Sequence, residues 1–452
     1  MSTTDWNPVR YPDVRSRPLM TRRAWWLVVL NVLLPGSAQI LAGSKRLGRV
    51  GLVATLVSWI LVIAAVLVVS LAPTWVIVAA TQPVMIGVGV VILTFYAVLW
   101  LALTLDTLRM VKLVKVEPTA RVAVAILAIL ALVASSGTAV YAASTGVTAI
   151  TVLQEIFAAE ALLDEPIDGR YNILLIGGDA GKDREGLRAD SITVASVDAE
   201  TGQVTLIGVP RNLGITEFVA GSPMIELYPN GYDCGTDCLI SYLTYYGNQH
   251  PELYADAEAN HSSAGIEALR DGVEGTLGMT IPYYALVDMR GFEKLIDALG
   301  GIDITVAEDV PIGANTYDDG TPAPAIGVIE AGEQHMDGET ALWYARSRYG
   351  TTDYERMERQ RQVQEAILAQ ADPLTVLLRF QEIAAAGKNA VATDIPQNLL
   401  GYFAQHVVDA REQPITRLDI VPPDFDPDNP DLDAVRAAVA ELLAPVAEEP
   451  QS

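Results

Sequence analysis

The sequence contains few of the side chains that bind transition metals or act as nucleophiles. Only two cysteines and four histidines occur in 452 residues. The histidines show no metal-ligand spacing, and no nucleophile has an evident base partner. The chain also contains no Walker-type loop and no dinucleotide fingerprint. These absences argue against zinc chemistry, a hydrolase triad and a nucleotide-binding enzyme. The four histidines are His250, His261, His335 and His406.

Charge is missing from one long stretch and is unevenly divided elsewhere. No Asp, Glu, Lys or Arg occurs from Val50 to Leu105, which far exceeds the roughly 20 apolar residues that cross a bilayer. Residues 1–145 contain 12 Lys or Arg and 4 Asp or Glu, whereas residues 146–452 contain 18 and 51. We therefore expect a multi-pass protein of the cell membrane with a large acidic domain. Such acidity argues against nucleic acid as a partner.

The basic residues predict how the chain crosses the membrane. They lie before the first apolar stretch, between the first and second, and between the third and fourth, but not in residues 72–83. Basic segments favour the cytoplasm. All three basic segments can lie in the cytoplasm only if the first apolar stretch turns back at Pro35 and Gly36 as a re-entrant or interfacial hairpin. Three crossings then make the large domain extracytoplasmic; the alternative is a kinked fourth crossing with that domain inside. The four apolar stretches are residues 24–43, 51–71, 84–105 and 122–145.

Both cysteines fall in the domain predicted to be exterior, within the run Cys234-Gly-Thr-Asp-Cys238. An oxidising exterior would preserve a disulfide between them. Their spacing does not suggest zinc, since no other Cys or His is near. Two free, buried thiols are the alternative.

Short β-rich runs alternate with longer amphipathic runs after a linker predicted at residues 146–168. Such alternation predicts an α/β domain, with helices on both sides of a central mixed sheet. We place this domain at residues 169–372, with residues 373–452 as its extension and tail. The predicted strands are Tyr171–Ile176, Ser191–Val197, Val204–Val209 and Thr416–Val421. The predicted helices are Ser263–Leu277, Gly291–Leu299, part of Gly338–Ala345, Tyr354–Ala371 and Leu432–Leu443.

Carboxylates lie at the ends of two predicted strands. Asp179 follows the first strand, and Arg188 and Asp190 open the second at an i, i+2 spacing that favours one face. Mg²⁺ prefers one or two carboxylates together with phosphate oxygens. The pattern fits a Mg²⁺ site, but Asp179 as a turn cap and an Arg188–Asp190 ion pair are the alternative.

Arginines gather in the same domain. Arg211 ends a strand, Arg346 and Arg348 share a face if extended, and Arg356 and Gln360 share a helical face at i, i+4. Guanidinium groups match phosphate oxygens in a bidentate manner. The cluster is therefore either an anion site or a salt-bridge network.

Five motifs occur in order between residues 170 and 372. They are Asn172-Ile-Leu-Leu-Ile-Gly-Gly-Asp179; Arg188-Ala-Asp-Ser191; Val209-Pro-Arg211; Tyr283-Tyr-Ala-Leu-Val-Asp-Met-Arg-Gly-Phe292 with Leu299-Gly-Gly301; and Tyr344-Ala-Arg-Ser-Arg-Tyr349 through Asp353-Tyr-Glu-Arg356 to Arg359-Gln-Arg-Gln362. Together they resemble the LytR-CpsA-Psr family of cell-wall enzymes. The high Ala and Val content and the cysteine loop resemble its actinobacterial branch, whose cargo would be arabinogalactan or a similar polymer.

The resemblance implies transfer of a glycopolymer from a polyprenyl-pyrophosphate carrier to peptidoglycan, with a phosphodiester link formed and polyprenyl phosphate released. It implies that Asp179 and Asp190 bind Mg²⁺, for which Mn²⁺ could substitute, and that Arg188 acts beside them. Asp190 could also accept the proton of the attacking hydroxyl. The residues implied to bind pyrophosphate are Arg188, Arg211, Arg346, Arg348, Arg356 and Gln360.

Two features depart from the family pattern. The Lys/Asn-containing stretch that usually precedes the central helix is not evident, since Met224–Asn230 matches it poorly. Asn212 stands where the family usually has Asp, which removes an acidic group from the expected site. A non-catalytic polyprenyl-phosphate-binding or regulatory protein is therefore one alternative. A polyprenyl pyrophosphatase is another.

Overall fold

The computed structural model describes residues 9–157, 165–179, 188–313, 324–370, 391–410, 413 and 415–444. The backbone of Asp179 is included, but its side chain lies outside the described part. The chain divides into two compact units, Met1–Thr151 and Val152–Ser452.

The first unit is helical. Three of its helical segments are long and apolar enough to cross a membrane: Lys45–Leu71, Pro83–Lys115 and Pro118–Ile156. The last joins two α-helices through a π-helical turn, Val133–Gly137. The α-helices are α1 (Arg17–Leu33), α2 (Ser37–Ala42), α3 (Lys45–Leu71), α4 (Pro73–Thr81), α5 (Pro83–Val111), α6 (Pro118–Leu132) and α7 (Thr138–Ile156).

The chain turns sharply between α1 and α2. Gly36 has a φ of +98°, a conformation that glycine adopts without strain. A Cβ atom at Gly36 would clash with the backbone of Gly48 and Leu52 in α3, so the turn packs directly on that helix. The side chain of Gln39, fully buried in α2, donates a 2.8 Å hydrogen bond to the carbonyl oxygen of Leu103 in α5. The two helices therefore form a hairpin fixed to α3 and α5.

The second unit is built on a mixed six-stranded sheet, in the order β10-β3-β2-β1-β4-β9. Strands β1, β2 and β3 are antiparallel neighbours, whereas β4 runs parallel to β1 and β10 runs parallel to β3. Two separate ribbons pair β5 with β8 and β6 with β7. The strands are β1 (Arg170–Asp179), β2 (Arg188–Asp198), β3 (Val204–Val209), β4 (Tyr283–Asp288), β5 (Ile302–Val306), β6 (Val310–Ile312), β7 (Gly327–Ile329), β8 (Gly332–Met336), β9 (Val391–Thr393) and β10 (Thr416–Asp419).

Helices cover both faces of the central sheet. They are α8 (Met224–Leu227), α9 (Leu243–Gln249), α10 (Ala264–Leu277), α11 (Met289–Leu299), α12 (Gly338–Arg346), α13 (Asp353–Gln370), α14 (Gln397–Ala410) and α15 (Leu432–Leu443). Leu174 of β1 lies in the same core as Leu269 of α10, and its neighbour Leu175 packs on the opposite face with Leu368 of α13. The predicted arrangement of helices on both sides of a mixed sheet is confirmed.

Candidate active site

A β-bulge sets the position of Asp190. Strands β1 and β2 pair regularly up to Gly177 and Ser191, after which Gly178 pairs with Ala189. Asp190 is therefore the extra residue of the bulge, a feature that commonly re-aims a side chain beside an active site. Its carboxylate contacts Nη1 of Arg211 and lies 3.8 Å from Nη2 of Arg348.

A second carboxylate, Asp353, completes the cluster. Its oxygens lie 3.2 Å from Nε of Arg211, 3.6 Å from Nε of Arg348 and 3.5 Å from Nη2 of Arg356. Three arginines from the end of β3, the segment after α12 and the first turns of α13 therefore converge on two aspartates. We call Asp190, Arg211, Arg348, Asp353 and Arg356 the arginine cluster. Its formal charge is positive.

Arg356 is the most deeply buried member of the arginine cluster. Its side chain is 3% exposed, and neither Nε nor Nη2 has a hydrogen-bond partner among the described residues. Burial and the nearby charge of Arg348 lower the pKa of Arg356 to about 10. Because this pKa still lies above neutral pH, the guanidinium is charged. A bound anion would satisfy its free N–H groups.

The pKa values of Asp353 and of the other two arginines respond to the same charges. Burial opposes the charge of Asp353, but Arg356 and Arg211 outweigh it and lower the pKa of this carboxyl group. Burial likewise opposes the charge of Arg211, and Asp190 and Asp353 outweigh it and raise its pKa. Burial and Arg211 together lower the pKa of Arg348. The surroundings thus lower the pKa of Arg348 and Arg356 but raise that of Arg211.

The arginine cluster lies at the N-terminus of α13. Thr352 and Glu355 form a capping box there: the Thr352 N–H donates to Oε2 of Glu355 at 2.6 Å, and the Glu355 N–H donates to Oγ1 of Thr352 at 3.2 Å. Asp353 opens the helix, and Arg356 follows one turn later. A helix N-terminus carries partial positive charge and favours a bound phosphate.

The other predicted site residues lie around the arginine cluster. Nε2 of Gln360 donates to the carbonyl oxygen of Ala345 at 3.4 Å, and Gln360 lines a cleft together with Asp190 and Arg211. The exposed guanidinium of Arg346 lies 5.6 Å from the centre of the Trp343 ring. In the described part of the chain, Arg346 forms no ion pair with either aspartate of the cluster. Its predicted role in pyrophosphate binding stays a prediction.

Arg188 also differs from the expectation. Its guanidinium lies 5.3 Å from the centre of the Tyr242 ring, and no ion pair joins it to Asp190 in the described structure. The bulge at Asp190 interrupts the alternation that the i, i+2 spacing assumed. The alternative reading of an Arg188–Asp190 ion pair is therefore wrong.

The remaining arginines of α13 hold the fold together. Arg359 is buried and donates from Nε to the carbonyl oxygen of Tyr344 at 3.0 Å, and from Nη2 to Ser347 and Thr351. Arg361 forms ion pairs with Glu358 and Asp419. The local concentration of arginine is thus both a cationic cluster that two aspartates partly neutralise and a structural network.

The donor set fits Mg²⁺ only in part. No group of three or more His, Cys, Asp or Glu in the described residues could enclose a metal ion. Mg²⁺ needs one or two carboxylates when phosphate oxygens and water supply its other ligands. Asp190 meets that requirement, and the metal-binding role of Asp179 stays a prediction because its side chain lies outside the described part.

Three features of this region were absent from the sequence-based site. Asp353 contacts all three arginines, and the capping-box pattern before Arg356 was the available signal for it. The bulge and the stacking of Tyr242 on Arg188 had no clear signal in the sequence.

Cys234 and Cys238 are joined in a disulfide. Oδ1 of Asn212 is buried and has no hydrogen-bond partner among the described residues.

Comparison with known proteins agrees with the motifs. The model of the LytR_cpsA_psr family matches residues 154–429. The chain belongs to the LytR-CpsA-Psr family. This match extends beyond the predicted domain at both ends and includes β10, which pairs with β3 in the central sheet.

Several curated members of the LytR-CpsA-Psr family are similar to this chain. The polyisoprenyl-teichoic acid–peptidoglycan teichoic acid transferase TagU of Enterococcus faecalis is 28% identical over 232 residues, which cover 50% of this chain and 61% of TagU. The cell wall biosynthesis protein LcpA of Corynebacterium glutamicum is 28% identical over 265 residues, covering 53% of this chain and 47% of LcpA. Biofilm regulatory protein A of Streptococcus mutans is 26% identical over 244 residues, covering 51% and 53%. The chain therefore spans less than two thirds of each relative.

Among solved structures of the family, Bacillus subtilis TagV is 24% identical, with a TM-score of 0.44. The match covers 61% of this chain and 98% of that structure.

Proposed function

We propose that this protein transfers a glycopolymer from a polyprenyl-pyrophosphate carrier to peptidoglycan, forming a phosphodiester link and releasing polyprenyl phosphate. The arginine cluster carries this proposal, because it places at a helix N-terminus the buried Nε and Nη2 groups of Arg356, which have no hydrogen-bond partner among the described residues. That combination suits a diphosphate. The transferase name of TagU supports the reaction class.

Positioning and charge neutralisation are the main needs of phosphoryl transfer. In our proposal, Arg211, Arg348 and Arg356 bind the diphosphate oxygens in place of their present contacts with Asp353 and Asp190. The acceptor hydroxyl oxygen bonds to the phosphorus that carries the glycopolymer. The bond from that phosphorus to the bridging oxygen breaks, and polyprenyl phosphate leaves with the electron pair. Asp190 accepts the hydroxyl proton.

We also propose that Asp190 and Asp179 hold Mg²⁺, or Mn²⁺ in its place. When bound, the metal would neutralise charge on the diphosphate. Arg188 lies two residues from Asp190 in the sequence and would add a further guanidinium group to the site. Gln360 would donate to a phosphate oxygen from the adjoining cleft.

A regulatory protein that binds polyprenyl phosphate without turnover is the second candidate. The name of Biofilm regulatory protein A supports it, as does Asn212 in place of the usual Asp. The transfer assay below separates the two functions, because only an enzyme turns over its donor.

Full-length protein in detergent, supplied with Mg²⁺, a polyprenyl-pyrophosphate-linked arabinogalactan-type polymer and peptidoglycan fragments, should release polyprenyl phosphate and phosphate-linked glycan. Arg348→Ala should reduce this rate at least tenfold, since it removes a group that binds the diphosphate. Arg417→Ala is the matched control, because Arg417 is half exposed and pairs with Glu365 at 2.8 Å. Chromatography of the lipid and glycan products measures both rates.

Three other results would redirect the proposal. Transfer of the phosphate to water would indicate a pyrophosphatase. Tight binding of the donor without turnover would indicate the regulatory function. Preference for a teichoic acid donor would contradict the actinobacterial type of cargo that the sequence resemblance implies.

We further propose three membrane crossings, with the α1–α2 hairpin on the cytoplasmic side and the second unit extracytoplasmic. Single cysteines can test this with a membrane-impermeant maleimide on intact cells, because Cys234 and Cys238 are bonded to each other. Asp433→Cys, at a side chain that is 96% exposed, should react at once. Ser44→Cys, in the exposed loop before α3, should react only after permeabilisation. The reverse pattern would contradict the topology.

A further inference from the structure

A disulfide-closed loop precedes a turn beside the arginine cluster. The bond between Cys234 and Cys238 closes this loop, and the Cys238 N–H donates to the carbonyl oxygen of Gly235 at 3.0 Å. The side chain of Cys238 is almost fully buried. The chain continues directly into a 3₁₀ turn, Ile240–Tyr242. The beginning of this turn is therefore firmly placed.

Two backbone hydrogen bonds attach the turn to the end of β3. The Ser241 N–H donates to the carbonyl oxygen of Arg211 at 3.2 Å, and the Ile240 N–H donates to that of Leu213 at 3.1 Å. Ile240 and Ser241 are both buried. Tyr242 thus directly follows Ser241, whose N–H donates to the backbone of Arg211 in the arginine cluster.

Tyr242 supports a cation that belongs to the proposed site. Its half-buried ring lies 5.3 Å from the guanidinium carbon of Arg188, within the range of a cation–π interaction. Arg188 is exposed and has no ion-pair partner among the described residues. The aromatic ring is therefore the group that the structure shows restraining this guanidinium.

We propose that Tyr242 is a positioning residue that holds the Arg188 guanidinium ready for the diphosphate at the rim of the arginine cluster. This inference rests on the proposed function. A free arginine side chain loses rotamer freedom when it binds a phosphate oxygen. Stacking on Tyr242 removes much of that freedom before the ligand binds. The entropy lost on binding is then smaller, and the ligand binds more tightly.

A double-mutant cycle on the full-length protein tests the inference, with geranyl pyrophosphate and Mg²⁺ as the titrated probe. Tyr242→Leu should weaken binding about five- to tenfold, while Tyr242→Phe, which keeps the ring, should bind within twofold of the wild type. Arg188→Gln should weaken binding at least as much as Tyr242→Leu. The double variant Tyr242→Leu with Arg188→Gln should match Arg188→Gln alone.

Additive losses in the double variant would overturn the inference, because a purely structural Tyr242 would act whether or not Arg188 is present. Wild-type affinity in Tyr242→Leu would also overturn it. Arg356→Ala in the same titration separates this failure from failure of the proposed function. If Arg356→Ala binds the probe as tightly as the wild type, the proposed site itself is wrong; if it loses binding while Tyr242→Leu does not, only the role of Tyr242 is wrong.

Discussion

Replacing Arg356 with alanine should lower the rate of polyprenyl phosphate release by about 10²–10³-fold, the loss typical for a buried donor to a developing charge. Arg356 is 3% exposed and carries N–H groups that no described residue accepts from. Among the described residues its one ion-pair partner is Asp353 at 3.5 Å, which Arg211 and Arg348 share. The Arg356 side chain therefore stabilises a bound anion more than it stabilises the ligand-free protein. Steady-state release of polyprenyl phosphate measures the effect.

A matched variant separates charge from geometry. Arg356→Lys keeps the positive charge but not the planar fork, so its rate should lie between those of Arg356→Ala and the wild type. Thermal unfolding of both variants controls for damage to α13, since a buried side chain is removed. A well-folded Arg356→Ala protein with a rate within threefold of the wild type would contradict the role that we assign to Arg356.

Asp190→Asn should reduce turnover by about 10²-fold or more, in the range expected for loss of a general base. Asparagine has nearly the same shape and can still accept a hydrogen bond from Arg211, so the bulge should persist. A Mg²⁺ titration distinguishes the two proposed roles. Loss of a metal ligand raises the Mg²⁺ concentration needed for half-maximal rate, whereas loss of the base lowers the rate at saturating Mg²⁺.

Asp198→Asn is the matched control for Asp190→Asn. Asp198 ends the same strand, β2, and also pairs with an arginine, Arg170, at 3.3 Å. It lies at the opposite end of β2 from the arginine cluster, so the rate should stay within twofold of the wild type. If Asp190→Asn and Asp198→Asn lost equal activity, the effect would be one of sheet stability rather than of chemistry.

The central strands and helices were predictable because the sequence pattern of each one agrees with its burial and with its end residues in the structure. Residues Val204–Val209 form a β-rich run in which Thr205 is the one polar residue, and the structure buries all six of them. Helix α10 follows Ser263, whose side chain accepts a hydrogen bond from the Ile266 N–H, and ends before Gly278 at a φ of +69°. Such start and stop signals are local, and a sequence shows them directly.

The composition of the site was only partly predictable. Arg356, Arg359 and Arg361 have identical side chains on one helix, yet in the described structure only Arg356 of the three forms an ion pair with an aspartate of the arginine cluster. Their different partners depend on tertiary packing, including the carbonyl groups that Arg359 binds and the contact of Arg361 with Asp419 in β10. The bulge at Asp190 is likewise a property of strand pairing, which a single sequence does not display.

A crystal structure of the protein with a prenyl pyrophosphate bound tests the central claim most directly. We predict that the diphosphate oxygens accept hydrogen bonds from Arg211, Arg348 and Arg356 together, at about 2.7–3.1 Å. A diphosphate bound elsewhere, with these three arginines still paired to Asp190 and Asp353, would contradict the account.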